Sequence, residues 1–164
     1  AYIEEKGQSV LPALSLLDLK DKQFTVLPED EGDYSSHIEH LTDGDDATYW
    51  QPLQQKSFTT YELILDLGKI ETLNGLKFVQ RTYVNNDNQY IIAPNVIKIK
   101  VSTDQINWDS ATYLEESTVG NSNGEISLIP FAQKGKNVRY VKLLVNTASY
   151  YGFYNTSFAE IGLY

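Results

Sequence analysis

Residues 40–50 read HLTDGDDATYW. Asp43, Asp45 and Asp46 crowd around Gly44. Carboxylates this close repel one another unless a cation or a hydrogen-bonding turn compensates them. Calcium suits such a loop, because it takes roughly six to eight oxygens from carboxylates, backbone carbonyls and water. The EF-hand arrangement is excluded: counted from Asp43, the positions that need glycine and glutamate hold Thr48 and Gln54. A calcium site here is therefore a loop site completed from elsewhere in the chain. The alternative is an Asp-rich turn capped by its own side chains.

The chain has 164 residues, enough for one domain with a real core. Its 41% hydrophobic and 21% charged residues are ordinary for a globular protein. The formal net charge of −9 argues against nucleic acid or anionic lipid as partner, since both need clustered Lys and Arg. It leaves neutral ligands and bound cations. With no Cys there is neither a disulfide framework nor thiol chemistry. With no Met, the chain reads as a processed or excised part of a longer protein. No apolar run is long enough to span a membrane as a helix.

Strand signals dominate. YELILDLG (61–68), LNGLKFVQ (73–80), NVIKIKVST (95–103), GEISLIPF (124–131), VRYVKLLVN (138–146) and SFAEIGLY (157–164) are short, β-branched or aromatic, and bounded by turn residues. In residues 96–101 the lysines Lys98 and Lys100 alternate with Ile97, Ile99 and Val101, which predicts one wet and one buried face. QFTVL (23–27) reads as an earlier strand, and STDQINWDS (102–110) as a hairpin turn opened by Asp104. LPALSLLDLK (11–20) is the one weak helical candidate, and residues 1–22 read as a tail, linker or first edge segment ahead of a domain over 23–164. The pattern predicts an all-β sandwich or jelly roll.

Six motifs carry a family resemblance. The run Asp43-Gly44-Asp45-x-x-Thr48-x-Trp50 resembles the signature of the discoidin, or coagulation factor type C, family, which includes the family 32 carbohydrate-binding modules. Leu65-Asp66-Leu67-Gly68-Lys69 resembles its next strand end, and Gly75 to Arg81 a following strand that closes on arginine. Val101-Ser102-Thr103-Asp104-x-x-x-Trp108 resembles its hairpin, with Gln105 where glycine is usual. Arg139-Tyr140-Val141 and Ala159-Glu160-Ile161 resemble its last two strands. The resemblance covers roughly residues 23 to 164 and implies an eight-stranded antiparallel jelly-roll β-sandwich of the galactose-binding-domain-like kind.

That resemblance also implies a structural calcium at the acidic loop. Asp43 and Asp45 would supply carboxylates, Leu41 and Thr48 carbonyls, and Glu160 of the last strand would complete the shell, with Asp46 pointing to solvent. Trp50 and Trp108 would be core residues rather than sugar platforms.

Sugar recognition needs an aromatic face for the C–H side of the ring and planar polar groups for its hydroxyls. Two loops offer these, RTYVNNDNQY (81–90) and ASYYGFYNT (148–156). The candidates are Arg81, Tyr83, Asn85, Asn86 and Asn88 in the first, and Tyr150, Tyr151, Phe153 and Tyr154 in the second. In galactose-binding relatives an arginine and an asparagine five residues later grip the sugar, which corresponds here to Arg81 and Asn86. The histidine such relatives carry after the tryptophan is Gln51 in this chain, and their acidic partner is replaced by Asn74 or a neighbour. The arginine–asparagine pair is kept while its partners differ, which weakens the case for galactose itself and keeps a glycan-binding role. His37 and His40 lack a third ligand for a transition metal, and His37 is placed at the rim of the ligand face.

The expected function is a noncatalytic module that binds a neutral oligosaccharide, with calcium as structural cofactor. The module would belong to a larger extracellular, periplasmic or cell-surface protein, of bacterial origin, and would contact that protein's other domains. No nucleic acid and no membrane insertion are expected. The alternatives are an adhesion domain for a protein partner, a purely architectural domain, and a hydrolase using the aspartates. Asp43 and Asp45 lie in one short turn, which suits a cation better than acid–base work at a glycosidic bond.

Overall fold

The computed structural model describes residues 14–30, 32, 36–84 and 91–164. The strands are β1 (Thr25–Leu27), β2 (Thr60–Leu73), β3 (Gly75–Val79), β4 (Val96–Ser102), β5 (Asp109–Ser110), β6 (Ser117–Thr118), β7 (Ile126–Pro130), β8 (Lys136–Asn146), β9 (Ala148–Tyr150), β10 (Phe153–Asn155) and β11 (Glu160–Leu163). One sheet runs β1-β2-β8-β4-β5, with β6 also on β4, and the other runs β11-β3-β7. All named pairings are antiparallel. The expected antiparallel jelly-roll sandwich is the observed architecture, with eleven strands among the described residues where eight were expected, β5, β6, β9 and β10 being short.

Alternation explains the core. Tyr61, Leu63, Leu65 and Leu67 of β2, Val141, Leu143 and Val145 of β8, and Ile97, Ile99 and Val101 of β4 all turn inward and are buried. Register aligns Leu63, Leu143 and Ile99 in one apolar row across three strands. Each such side chain contributes roughly 1.5–3 kcal/mol of burial. The pairing of β2 with β8 shifts between Asp66 and Glu71, and this irregularity puts both Val138 and Val141 on the inside of β8.

The weak helical candidate at 11–20 is not a helix over its described part, 14–20. That segment is a strap along β11. Leu17 N–H donates to the Leu163 carbonyl at 2.9 Å, and Leu19 joins the core. Burial of Leu19 and partial burial of Leu17 override the helix propensity of the segment, while Leu14 and Leu16 stay exposed. Thr42 Oγ1 then donates to the Lys22 carbonyl at 2.7 Å, which ties the strap to a short 3-10 turn over Ile38–Thr42.

Trp108 corrects an expectation. It is half-exposed, with its ring edge-on to Tyr140 at 6.5 Å and Lys142 Nζ 4.1 Å from its centroid. Tyr140 and Lys142 point away from the sandwich, so Trp108 covers the outer face of the larger sheet. The β4–β5 turn follows the reading of Asp104. Its Oδ1 accepts from the backbone N–H of Ile106 and Asn107 at 2.9 and 2.8 Å, and these bonds hold the carboxyl well below the usual range.

Gln105 has φ of 64° in that turn. A left-handed conformation costs a side-chain-bearing residue roughly 1–2 kcal/mol, which explains why glycine is usual at this point of the motif. Gln105→Gly is expected to raise unfolding stability by roughly 1 kcal/mol in urea titration, without changing the m-value.

Candidate functional site

The acidic loop meets β11 through Glu160. Gly44, at φ of 78°, turns the chain so that its N–H donates to Glu160 Oε2 at 3.0 Å. Asp43 Oδ1 accepts from Asp45 N–H at 2.9 Å, and Asp43 Oδ2 accepts from Thr48 Oγ1 at 2.6 Å. Asp45 caps the next turn, its Oδ1 accepting from Ala47 N–H at 2.9 Å. Asp46 is exposed, as expected. The Lys20 side chain lies across Gly44, its Cε 3.1 Å from where a Cβ would stand.

Glu160 is buried, and its Oε1 has no hydrogen-bond partner. Burial, followed by the adjoining Asp43 carboxyl, which favours a shared proton, and then by the charges of Asp43 and Asp46, pushes its carboxyl up to about 9 against the relief from Gly44 N–H. A divalent cation beside Asp43 would satisfy the orphan oxygen and cancel the repulsion, so these residues fit calcium. Among the described residues no three His, Cys, Asp or Glu side chains form a metal-holding group. A calcium ion would therefore rest on Asp43 and Glu160, with backbone carbonyls and water making up its shell.

Arg81 forms a second centre, just beyond β3. Gln80 is buried and anchors the strand end, its Nε2 donating to the carbonyls of Pro94 and Gly120 at 2.6 and 3.0 Å. The 122–125 turn clasps the next residues: Gly124 N–H donates to the Arg81 carbonyl at 3.1 Å, and Asn123 Nδ2 to the Tyr83 carbonyl at 3.0 Å. The Arg81 guanidinium carbon lies 3.7 Å from the Tyr49 ring centroid and 4.6 Å from that of Tyr83. Its Nη1 donates to Gln51 Oε1. The side chain is thus held by two aromatic rings and an amide.

Tyr83 serves there as support rather than as a platform, because its ring is 7% exposed. Tyr49 has the matching role and was not singled out from sequence. Its signal was its place between Thr48 and Trp50, where alternation turns it away from the core. His40 Nδ1 steadies Tyr49 through its carbonyl at 2.8 Å. His37 has its Nδ1 3.8 Å from Glu39 Oε1, while the neighbouring Ser36 carbonyl accepts from Gln51 N–H at 3.0 Å. Asn85, Asn86 and Asn88 lie outside the described residues.

The aromatic loop is a hairpin. Tyr151 and Gly152, at φ of 48° and 83°, form the two-residue turn between β9 and β10, and successive positive φ angles are what a type I′ turn demands. Tyr151 is 74% exposed and Phe153 42%. Tyr150 packs edge-on against Tyr151 at 4.7 Å. Tyr154 pairs with Gln55, and Phe158 with Trp50, so residues 154–158 and 50–55 form an irregular ribbon that carries both the hairpin and Gln51.

The sequence matches the model of the F5/8 type C domain over residues 23–160. The chain belongs to the F5/8 type C domain family. No curated protein sequence matches it significantly. Among solved structures it resembles CBM32-3 from a family 31 glycoside hydrolase of Clostridium perfringens, with 19% identity, TM-score 0.71, and 91% of this chain and 94% of that one covered. It also resembles CpGH89CBM32-5 of Clostridium perfringens in complex with GalNAc-β-1,3-galactose, at 20% identity, TM-score 0.68, and 92% and 99% coverage. A third is chitosan-binding module 1 from a chitosanase/glucanase of Paenibacillus sp. IK-5, at 22% identity, TM-score 0.62, and 87% and 94% coverage. At these identities the likeness establishes the fold.

The raised Glu160 carboxyl gives this F5/8 type C domain a pH signature when metal is chelated. Its folded pKa of about 9 lies above the ordinary glutamate value of 4.5, so its contribution is fully present below about 4.5 and is lost as pH rises through about 9. In EDTA, unfolding stability is expected to fall between about pH 5 and 9, and Glu160→Gln to flatten that fall. The measurement is urea unfolding at a series of pH values; a flat wild-type profile contradicts the burial of an unpaired carboxyl.

Proposed function

We propose that this F5/8 type C domain is a noncatalytic carbohydrate-binding module of a larger secreted or cell-surface protein, and that Arg81 with the Tyr150–Phe153 hairpin binds a glycan. The observation that carries this reading is the Arg81 cluster. Tyr49, Tyr83 and Gln51 restrain a guanidinium that would otherwise lose rotamer freedom on binding, and such restraint lowers the cost of gripping vicinal hydroxyls. Tyr151, on the ribbon that also carries Gln51, supplies an exposed aromatic face of the kind that stacks on a sugar ring. The bound GalNAc-β-1,3-galactose and the chitosan-binding name of two similar structures support a saccharide over a protein partner. Gln51 stands where galactose-binding relatives have histidine, so the sugar contact beside Arg81 is made by an amide here.

The same reading includes a structural calcium held by the carboxylates of Asp43 and Glu160 and by carbonyls of the 41–48 loop, Leu41 and Thr48 being the candidates. Asp45 shapes the loop through its Oδ1 cap on Ala47 and keeps its second carboxylate oxygen for the ion. The ion would join the loop to β11 and stabilise the folded state by mass action. The setting fits an extracellular or periplasmic location, and no described helix is long and apolar enough to cross a membrane.

Calorimetry with galactose, GalNAc-β-1,3-galactose and chitosan oligosaccharides tests the glycan reading. Binding of at least one is expected, weakened roughly tenfold or more by Arg81→Ala and by Tyr151→Ala, which corresponds to about 1.4 kcal/mol or more. Absence of binding to all three at millimolar concentration, or no effect of either substitution, overturns it. For calcium, EDTA is expected to lower the melting temperature, and Asp43→Ala to abolish the response. An unchanged melting temperature on adding millimolar calcium to chelated protein removes the metal from the account.

A further inference from the structure

The outer face of the larger sheet carries a second feature, on a different sheet from the strand that leads to Arg81. Thr60 of β2, Leu144 and Asn146 of β8, and Val96 and Lys98 of β4 point away from the core, because their neighbours Tyr61, Val145 and Ile97 fill it. With Phe58 and Glu116 they line a groove of about 270 Å³. Its floor is the half-buried Leu144, and Phe58, 59% exposed, stands at its rim.

Exposure of one phenylalanine is unremarkable in itself. The charges around it are what set the groove apart. Elsewhere on this sheet cations and acids are matched: Arg139 with Asp66 at 2.9 Å, Lys142 with Glu62 at 3.6 Å, Lys136 with Asp109 at 3.4 Å, and Lys100 with Glu115. Lys98 and Glu116, which line the groove, form no ion pair or hydrogen bond among the described residues. Asn146 Oδ1 accepts from Thr60 Oγ1 at 2.7 Å, which orients the amide and leaves its Nδ2 donors unengaged among those residues. The groove therefore offers an aromatic wall, an apolar floor, a cationic donor, an amide donor and an anionic acceptor.

We propose that this groove is a second saccharide-binding site, for a neutral sugar unit. A pyranose has an apolar C–H face for Phe58 and Leu144, and hydroxyls that both donate and accept. One of them accepts from Lys98 or Asn146 while another donates to Glu116. A polyanionic glycan would meet Glu116 and the chain's net charge of −9, and an apolar peptide would leave Lys98 and Glu116 desolvated and unpaired. The proposal rests on the glycan-binding reading of this domain but uses none of the residues of the Arg81 cluster. Two sites on different faces would let one module hold two chains or two points of one chain, which raises avidity when the ligand is a polymer.

The test is a ¹H–¹⁵N NMR titration of the whole domain with galactose, GalNAc-β-1,3-galactose and cellotetraose. Saturable shifts are expected at the amides of Thr60, Lys98 and Asn146, with a fitted affinity weakened at least fivefold by Phe58→Ala and by Lys98→Ala. Shifts around Gln51 and Arg81 should be untouched by either substitution, and Arg81→Ala should give the converse. Both test positions are solvent-accessible, so the spectra themselves report whether each variant folds. No saturable shift at the groove with any of the three sugars overturns the proposal. So does an affinity indifferent to Phe58→Ala and Lys98→Ala, or groove shifts that follow protein concentration without sugar, which would mark contact between copies. Groove binding together with a silent Arg81 cluster would overturn the Arg81 assignment and leave the groove standing.

Discussion

The pairing of Trp50 with Phe158 is the constraint on which the rest depends. Trp50 is fully buried, with its ring edge-on to Tyr61 at 5.4 Å and to Phe158 at 5.6 Å. Its indole N–H donates to the Asp30 carbonyl at 3.2 Å, its backbone N–H to the Phe158 carbonyl at 3.0 Å, and its own carbonyl accepts from Ser157 Oγ at 2.9 Å. A large aromatic with every polar group satisfied can be buried at no polar cost. Asp30 extends the anchor by accepting from Leu53 N–H at 2.9 Å, and its own burial pushes its carboxyl up. The residues on either side of Trp50 are thereby fixed: the acidic loop before it and Gln51 after it.

Phe158 transmits the same constraint along the other chain. Two residues on, Glu160 enters β11 opposite Val79, and two residues past Val79 stands Arg81. The acidic loop and the arginine cluster therefore hang on one pair of strands and one buried tryptophan. They differ in electrostatic character. The acidic loop is a concentration of like charge around a buried carboxyl, which favours a bound cation. The arginine cluster is a single cation already held by aromatic faces and an amide, which favours a ligand with hydroxyls to align. On the proposed reading, stability and recognition would be kept in separate places on a shared scaffold, as is common where loops carry function on a rigid sheet.

The larger sheet carries an ordered pattern of charge on its solvent-facing side. Most of its charges are matched across strands, and Trp108 is spread over Tyr140 and Lys142 rather than buried between the sheets. Cross-strand pairing of this kind stabilises register modestly. Near Phe58 the matching stops, and an oriented amide and two charges without an ion pair among the described residues surround an apolar floor.

Much of the architecture was legible before any coordinates. Period-two alternation in 61–68, 95–103 and 138–146 identifies buried and exposed faces because side chains on a strand must alternate. The run from Asp43 to Trp50, together with five further motifs ending at Ala159-Glu160-Ile161, carries the family resemblance. The nature of the strap at 14–20, the position of Trp108 and the identity of Tyr49 as the partner of Arg81 were not legible. Each depends on which surface lies opposite, and that is a property of long-range register. Likewise, sequence named the tyrosines of 150–154 as candidates, but only the type I′ turn decided that Tyr151 projects into solvent while Tyr83, equally aromatic, is buried as support. Local pattern determines which face of a strand is wet; only the packing of strands distant in sequence determines what stands on that face and what it can touch.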